Sequence, residues 1–193
     1  TSLSESPRVD GLIYAGTDDG RIQVTEDGGA TWRAIERLPE VPDAFFVNDI
    51  KADLHDPDTV YVVVDDHKSG DFSPYVLKSA DRGRTWSSIA GDLPERHVVW
   101  RLVQDHVNPS LLFAGTEFGV FFSADSGGKW VKLAGGMPNI PVRDLAIQKR
   151  ENDLVAATFG RSFYILDDYS VLRGVSESML EDSEVELFEP RKA

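Results

Sequence analysis

An eight-residue motif occurs three times in the chain and constrains its fold more than any other feature. The copies are TEDGGATW at 25–32, SADRGRTW at 79–86 and SADSGGKW at 123–130. Their aspartates are 54 and 44 residues apart, and a weaker copy, ILDDYSVL, follows after another 42 residues. This period is about that of one propeller blade. The repeat therefore predicts a chain built from successive copies of one structural unit.

Each copy of the motif lies among four short β-rich runs that are separated by turn residues. One run ends in small residues, as in LLFAGT, the next leads into the motif, a Trp-led run follows it, and a further run precedes them all. A four-stranded antiparallel blade is the natural unit for this pattern. We predict an all-β chain of about four such blades with a short C-terminal tail. The predicted boundaries are 1–39, 40–94, 95–138 and 139–172 for the blades, and 173–193 for the tail.

We interpret the motif as the turn between the third and fourth strands of each blade. Its Asp can accept hydrogen bonds from backbone N–H groups, the Gly at its fifth position permits a positive φ, and its Trp can pack on the blade. One active site would not need three copies of its acid, so a structural role is favoured over a catalytic one. The residues given this structural role are Asp27, Gly29, Trp32, Asp81, Gly83, Trp86, Asp125, Gly127, Trp130 and Asp167.

Composition argues against several classes of function. Thirty-three acidic and twenty basic residues give a formal net charge of -13, which repels phosphate backbones, so nucleic acid is not an expected partner. No run approaches the ~20 apolar residues of a membrane span, so none is predicted. Cysteine is absent, which excludes a thiol nucleophile. Histidines and acids lack the spacing of a metal site, and we predict neither a metal nor a cofactor.

The loops between the second and third strands form the expected functional face, opposite the motif turns. Their carboxylates could accept hydrogen bonds from glycan hydroxyls or peptide amines, and Phe118 could supply a stacking face. The alternative is a solvated rim on which Asp and Gly serve only the hairpin turns. The candidates are Asp18, Asp19, Asp65, Asp66, Glu117, Phe118 and Arg161. Loops between blades add Asn48, His97, Trp100 and Arg143, and Trp100 is expected in the core.

The pattern S/T-x-D-x-G-x-T/K-W resembles the Asp-box, or BNR repeat. Proteins with this repeat include sialidases, sortilin-type propellers, xyloglucan-cleaving glycosidases and a photosystem assembly factor. Segment 11–172 is most similar to the C-terminal blades of large bacterial proteins described as sortilin-like or glycosyl-hydrolase-like. The resemblance implies a β-propeller but no particular activity, because the box is structural in that family and recurs across unrelated functions. It also favours a secreted or periplasmic location.

Two functions from different classes remain. The first is a non-catalytic propeller segment that acts as a scaffold for a glycan or a protein. The second is part of a glycoside hydrolase, sialidase-like or xyloglucanase-like, whose cleft is completed by other blades. A sialidase site needs three arginines that grip the substrate carboxylate, together with a Tyr and a Glu, and no arginine-bearing motif of that kind is present. The absent catalytic constellation favours the scaffold.

Closure of the blades is the last expectation. Four blades of ordinary twist would leave two apolar faces and a strand edge open to water. We therefore predict that the chain self-associates, most simply as two copies that complete an eight-bladed ring, or that further blades of a longer chain cover these faces.

Overall fold

The structure is a computed structural model that describes residues 1–176, 178, 179 and 188. In this part of the chain fifteen strands form four antiparallel sheets, which we call blades 1–4. Blade 1 consists of β1 (Ser2–Glu5), β2 (Ile13–Gly16), β3 (Ile22–Thr25) and β4 (Arg33–Ile35). Blade 2 consists of β5 (Phe46–Ala52), β6 (Val60–Asp66), β7 (Asp71–Ser79) and β8 (Ser87–Ser88). Blade 3 consists of β9 (Val99–Gln104), β10 (Leu112–Thr116), β11 (Gly119–Ser123) and β12 (Val131–Lys132). Blade 4 consists of β13 (Val142–Gln148), β14 (Asp153–Thr158) and β15 (Phe163–Leu166). The all-β prediction is confirmed.

Blade 4 differs from the predicted four strands, because its sheet has three strands in the described part of the chain. After β15 the chain enters a 3₁₀ segment, Tyr169–Gly174, instead of a Trp-led strand. Arg173 fixes this segment to blade 3 by two hydrogen bonds of 2.8 Å to the buried carboxylate of Asp105. Most of the predicted tail, 173–193, lies outside the described residues.

Each pair of neighbouring blades encloses its own hydrophobic cluster, and β6 shows how. Val60, Val62 and Val64 belong to the cluster with blade 1, whereas Tyr61 and Val63 belong to the cluster with blade 3. Successive side chains of a strand point to opposite faces, so one apolar run serves two interfaces. Strands β6 and β10 are buried throughout, while β2 alternates between buried and half-buried residues. Among the described residues, none of the clusters joins blade 4 to blade 1, and each of these two blades has one face that no other described blade covers.

The three motif turns share one arrangement of hydrogen bonds, which begins at the hydroxyl residue. The Ser79 hydroxyl donates to the Asp81 carboxylate (2.7 Å) and accepts from the N–H of Gly83 (2.7 Å). The same pair of bonds recurs at Thr25 (2.8 and 2.8 Å) and at Ser123 (2.7 and 2.8 Å). All three hydroxyl residues are buried. The hydroxyl thus ties the motif aspartate to the backbone of the turn.

The motif aspartates close the other end of each turn. Asp27 accepts hydrogen bonds from the N–H (2.9 Å) and the hydroxyl (2.6 Å) of Thr31, and these bonds lower the pKa of Asp27 to about 2. Asp81 makes the same pair with Thr85, at 2.8 and 2.6 Å. These contacts stabilise the ionised carboxylate within the turn.

Motif turns also hold neighbouring blades together. Arg33 of blade 1 donates to the carbonyls of Arg82 (2.6 Å) and Gly83 (3.2 Å) in the second motif turn. The indole N–H of Trp130 donates to the Ile89 carbonyl of blade 2 (2.9 Å). The second and third motifs are therefore each hydrogen-bonded to the outer part of the preceding blade.

The described residues include no blade ahead of blade 1, and the Trp of the first motif differs from the other two. Trp32 is 45% exposed and donates to the carbonyl of Gly29 in its own turn (3.1 Å). Trp86 is half-buried, and Trp130 is 5% exposed. Burial of the motif Trp therefore depends on the neighbouring blade more than on the turn.

The fourth, weaker motif requires a correction of one residue. Leu166, at the end of β15, pairs with β14 at the position where Ser123 of the third motif pairs with β10. Asp168, two residues later, therefore occupies the position of a motif aspartate, and the assignment to Asp167 is wrong. Leu166 has no hydroxyl to anchor the turn, and the Asp168 carboxylate instead accepts from Ser170 at the start of the 3₁₀ segment.

Candidate functional site at the rim

The first strands of blades 2, 3 and 4 carry a β-bulge at the same position. The register of β5, β9 and β13 shifts there, which leaves one extra residue in each strand. The extra residues are Asn48, Trp100 and Arg143. A bulge redirects the side chain of the extra residue and is common beside functional sites. Blades 2, 3 and 4 thus each have one redirected side chain close to the loop between their second and third strands, on the face that we call the rim.

Two of these residues, Trp100 and Arg143, line a cavity of about 480 Å³, which we call the rim pocket. Its volume lies in the usual range for ligand sites. The lining residues are His67, Phe72, Glu95, Arg96, His97, Val98, Trp100, Glu117, Phe118 and Arg143.

Trp100 contacts two charged residues of the rim pocket. Its indole N–H donates to the Glu117 carboxylate (2.9 Å), and the Arg143 guanidinium carbon lies 3.7 Å from its ring centroid. A terminal nitrogen of Arg143 is 3.7 Å from the same carboxylate oxygen of Glu117. The expectation that Trp100 belongs to the core is wrong: it is half-buried, because the bulge turns it away from the apolar face of β9.

Further rings of the rim pocket contact one another or a guanidinium group. The rings of His97 and Phe118 are 4.9 Å apart, and the Arg96 guanidinium carbon is 5.3 Å from the Phe72 ring centroid. Both phenylalanines remain exposed. Cation–π contacts of this kind hold long side chains in place at a wet surface. The rim pocket therefore combines exposed rings with guanidinium and carboxylate groups.

The structure divides the predicted rim residues into three groups. Glu117 and Phe118 line the rim pocket. Asp65 and Asp66 are buried behind it, where the Asp65 carboxylate contacts the His67 ring and Asp66 accepts from the Ser69 hydroxyl (2.7 Å).

Asp18, Asp19 and Arg161 are exposed and lie outside the rim pocket. Asp19 accepts a hydrogen bond from the Thr17 hydroxyl within its own hairpin. The solvated-turn alternative therefore describes the blade 1 residues.

Sequence reasoning did not include Phe72, Glu95, Arg96 and Val98 among the site residues. The signal for them in the sequence is the extra length of the second repeat at 65–75. That segment forms the 3₁₀ turn His67–Ser69 and the start of β7, and it brings His67 and Phe72 to the rim pocket.

Among residues 1–176, 178, 179 and 188 no three His, Asp or Glu side chains are grouped as metal ligands. Within the same residues no helix has the length and apolar character needed to cross a membrane.

Solved structures with the same arrangement of blades identify the fold. YCF48 bound to D1 peptide superposes with a TM-score of 0.62 at 17% sequence identity, over 87% of this chain and 51% of that chain. The chain has a β-propeller fold. The GH74 enzyme of Niastella koreensis gives a TM-score of 0.61 at 15% identity, over 86% of this chain and 22% of the enzyme. The Cps50 (Swd1) propeller domain of Myceliophteria thermophila gives 0.62 at 14% identity, over 96% of this chain and 54% of that domain.

These similarities concern the fold alone, because the sequence identities are low. The chain spans about half or less of the length of each of these three proteins. No protein-family model and no curated protein matches the sequence.

Proposed function

We propose that the chain is a non-catalytic segment of an Asp-box propeller that binds a peptide segment of a partner protein in the rim pocket. The observation that carries the proposal is the grouping of Trp100, Arg143 and Glu117 beside exposed rings in a cavity of about 480 Å³. The shared hydrogen bonds of the three motif turns support the Asp-box relationship. A secreted or periplasmic location belongs to the same proposal and rests on the resemblance.

The chemistry of the rim pocket favours a peptide over a sugar. Sugar rings stack on open aromatic faces, but Arg143 covers one face of Trp100 at 3.7 Å. The exposed rings of Phe72 and Phe118 also have neighbours, the Arg96 guanidinium at 5.3 Å and the His97 ring at 4.9 Å. The pocket offers both signs of charge, from Arg96 and Arg143 and from Glu95 and Glu117. Peptides carry carbonyl, carboxylate and ammonium groups that match such a mixture. YCF48, one of the structural neighbours, has been solved with a bound peptide.

A glycoside hydrolase part is the second candidate. Two carboxylates, Glu95 and Glu117, line the same pocket, and a GH74 enzyme is among the structural neighbours. Retaining and inverting glycosidases both use a pair of carboxyl groups beside the scissile bond. On this candidate the cleft would be completed by blades outside this chain.

A peptide array, a glycan array and a panel of chromogenic glycosides test the two candidates on the same protein. Arg143→Ala and Glu117→Gln should each weaken peptide binding by at least ~10-fold, as expected for a central residue of a binding pocket. Arg161→Ala is the matched control, because Arg161 is a rim arginine outside the pocket, and it should bind like the wild type. Glycoside turnover that Glu117→Gln abolishes would overturn the proposal in favour of the second candidate.

A further inference from the structure

Blade 4 leaves an apolar face uncovered at positions that the inner blades bury. Phe163 occupies in β15 the position of Val120 in β11, since they pair with Ala157 and Gly115 at equivalent places in β14 and β10. Phe163 is 67% exposed, whereas Val120 is 0% exposed because blade 4 covers it. Ile165, two residues along the same strand, is also exposed. We call this surface the blade 4 open face.

Blade 1 leaves the complementary kind of face uncovered. Leu3 pairs with Ala15 at the position where Leu145 pairs with Ala156 in blade 4. Leu3 is 68% exposed, whereas Leu145 is 6% exposed because it packs on blade 3. Ile13 stands next to this pair, on the same side of the sheet as Ala15. We call Leu3, Ile13 and Ala15 the blade 1 open face.

The blade 1 open face repeats the residues that already form a blade interface in this chain. Blade 4 packs on blade 3 through Val142 and through three further buried side chains, Leu145, Leu154 and Ala156. Register equivalence places Leu3, Ile13 and Ala15 at these three positions. Blade 1 therefore presents, with one Leu-to-Ile change, three of the four buried side chains through which a further blade would cover blade 4.

Backbone groups at the inner strands support the same match. Between blades 1 and 2 the Ser2 hydroxyl of β1 accepts a hydrogen bond from the backbone N–H of Ile50 in β5 (3.2 Å). Between blades 2 and 3 the Asp49 carboxylate of β5 accepts one from the backbone N–H of Leu102 in β9 (3.2 Å). Asp144 holds the position of Asp49 in β13; its side chain is 63% exposed, and one of its carboxylate oxygens lies 3.1 Å from Nε of Arg101 and accepts from the N–H of Leu145 (3.0 Å). Leu3 holds the position of Ile50 and Leu102, so its N–H points away from blade 1 toward such an acceptor.

We propose that the blade 4 open face of one copy binds the blade 1 open face of a second copy, and that two such contacts close a ring of eight blades. Each contact is heterologous, and heterologous contacts form a closed ring when the rotation between copies allows it. The occupant is a second copy because the chain itself carries both halves of an interface that it already makes three times internally.

The test measures the molar mass of the purified chain by light scattering after size exclusion, over a wide range of protein concentration. We expect a species of twice the 21.4-kDa chain mass that dissociates on dilution. Leu3→Lys and Phe163→Glu should each raise the dissociation constant by at least ~10-fold. Both residues are exposed within one copy, so circular dichroism and melting of the dilute variants should match the wild type.

Val107→Lys is the matched control, because Val107 is an exposed apolar residue on the turn between β9 and β10, away from both open faces. It should associate like the wild type. A mass of one chain at every concentration would overturn the proposal. A series of species larger than two chains would contradict closure into a ring. Unchanged association of both Leu3→Lys and Phe163→Glu would contradict the assignment of the two open faces to the interface.

Discussion

At the scale of single residues, the first position of the motif is more deeply placed than the aspartate that defines it. Thr25, Ser79 and Ser123 are buried, whereas Asp27 and Asp125 are exposed. The buried hydroxyl is needed because the N–H of the motif Gly has no strand partner in the turn, and a buried donor must be paired. In the second motif the Ser79 hydroxyl accepts a hydrogen bond from that N–H and donates one to the Asp81 carboxylate.

Ser79→Ala tests the role of this hydroxyl. The substitution leaves the N–H of Gly83 without its 2.7 Å acceptor, and we expect the free energy of unfolding to fall by about 1–3 kcal/mol. Ser79→Thr is the matched control, because the first motif uses Thr25 at the same position. It should remain within about 1 kcal/mol of the wild type. Urea unfolding measures both; equal stability of the Ala variant and the wild type would contradict the assigned role.

At the scale of elements, the turn of one blade fits against the outer edge of the preceding blade. A Cβ atom at Gly127 would lie 2.7 Å from the Cβ atom of Ile89 and 2.8 Å from its carbonyl oxygen. Gly127 also has φ +99°, which favours glycine. Two separate requirements, backbone conformation and close approach, therefore fall on one residue of the motif.

Gly127→Ala and Gly136→Ala separate these two requirements. Gly136 has φ +92°, but a Cβ atom there would meet nothing within 4 Å. Both variants should lose stability through backbone strain, while Gly127→Ala should lose about 1–3 kcal/mol more because it overpacks the contact between blades. Thermal and urea unfolding of the two variants measure the difference. Equal losses would show that close approach to Ile89 contributes nothing.

Elements were predictable from the sequence to the extent that local patterns determine them. The repeat period and the apolar runs gave the strands, since alternate residues of runs such as 60–64 serve opposite faces. The bulge at Trp100 was not predictable, because an apolar residue type does not show whether its strand position is regular or bulged. The choice between Asp167 and Asp168 likewise required the strand pairing of β14 and β15. Two adjacent aspartates carry no local signal of which one occupies the motif position in the turn.

At the scale of the whole molecule, ligand binding and self-association are assigned to separate surfaces. The rim pocket is lined by loops and bulged residues of blades 2, 3 and 4, whereas the two open faces belong to the outer sides of blades 1 and 4. The proposed pocket depends on charged groups such as Arg143 and Glu117, while the proposed interface depends on apolar side chains such as Leu3 and Phe163. The two proposals therefore respond differently to ionic strength.

Salt should affect the two proposed contacts in opposite directions. Each copy carries a formal charge of -13, so two copies repel each other at low ionic strength, where the Debye length is ~30 Å at ~0.01 M. In ~1 M sodium chloride the Debye length is ~3 Å, which removes the repulsion and leaves burial of Leu3, Phe163 and Ile165 unopposed. The dissociation constant of the dimer should therefore fall as salt rises. Peptide binding should weaken over the same titration, because the charges of Arg143, which is exposed, and of Glu117, which is half-buried, are screened. Light scattering and peptide binding by fluorescence anisotropy measure the two trends on one sample series, with Val107→Lys as the control for association. An assembly that dissociates in salt would show that charge pairs, and not the apolar open faces, hold the copies together.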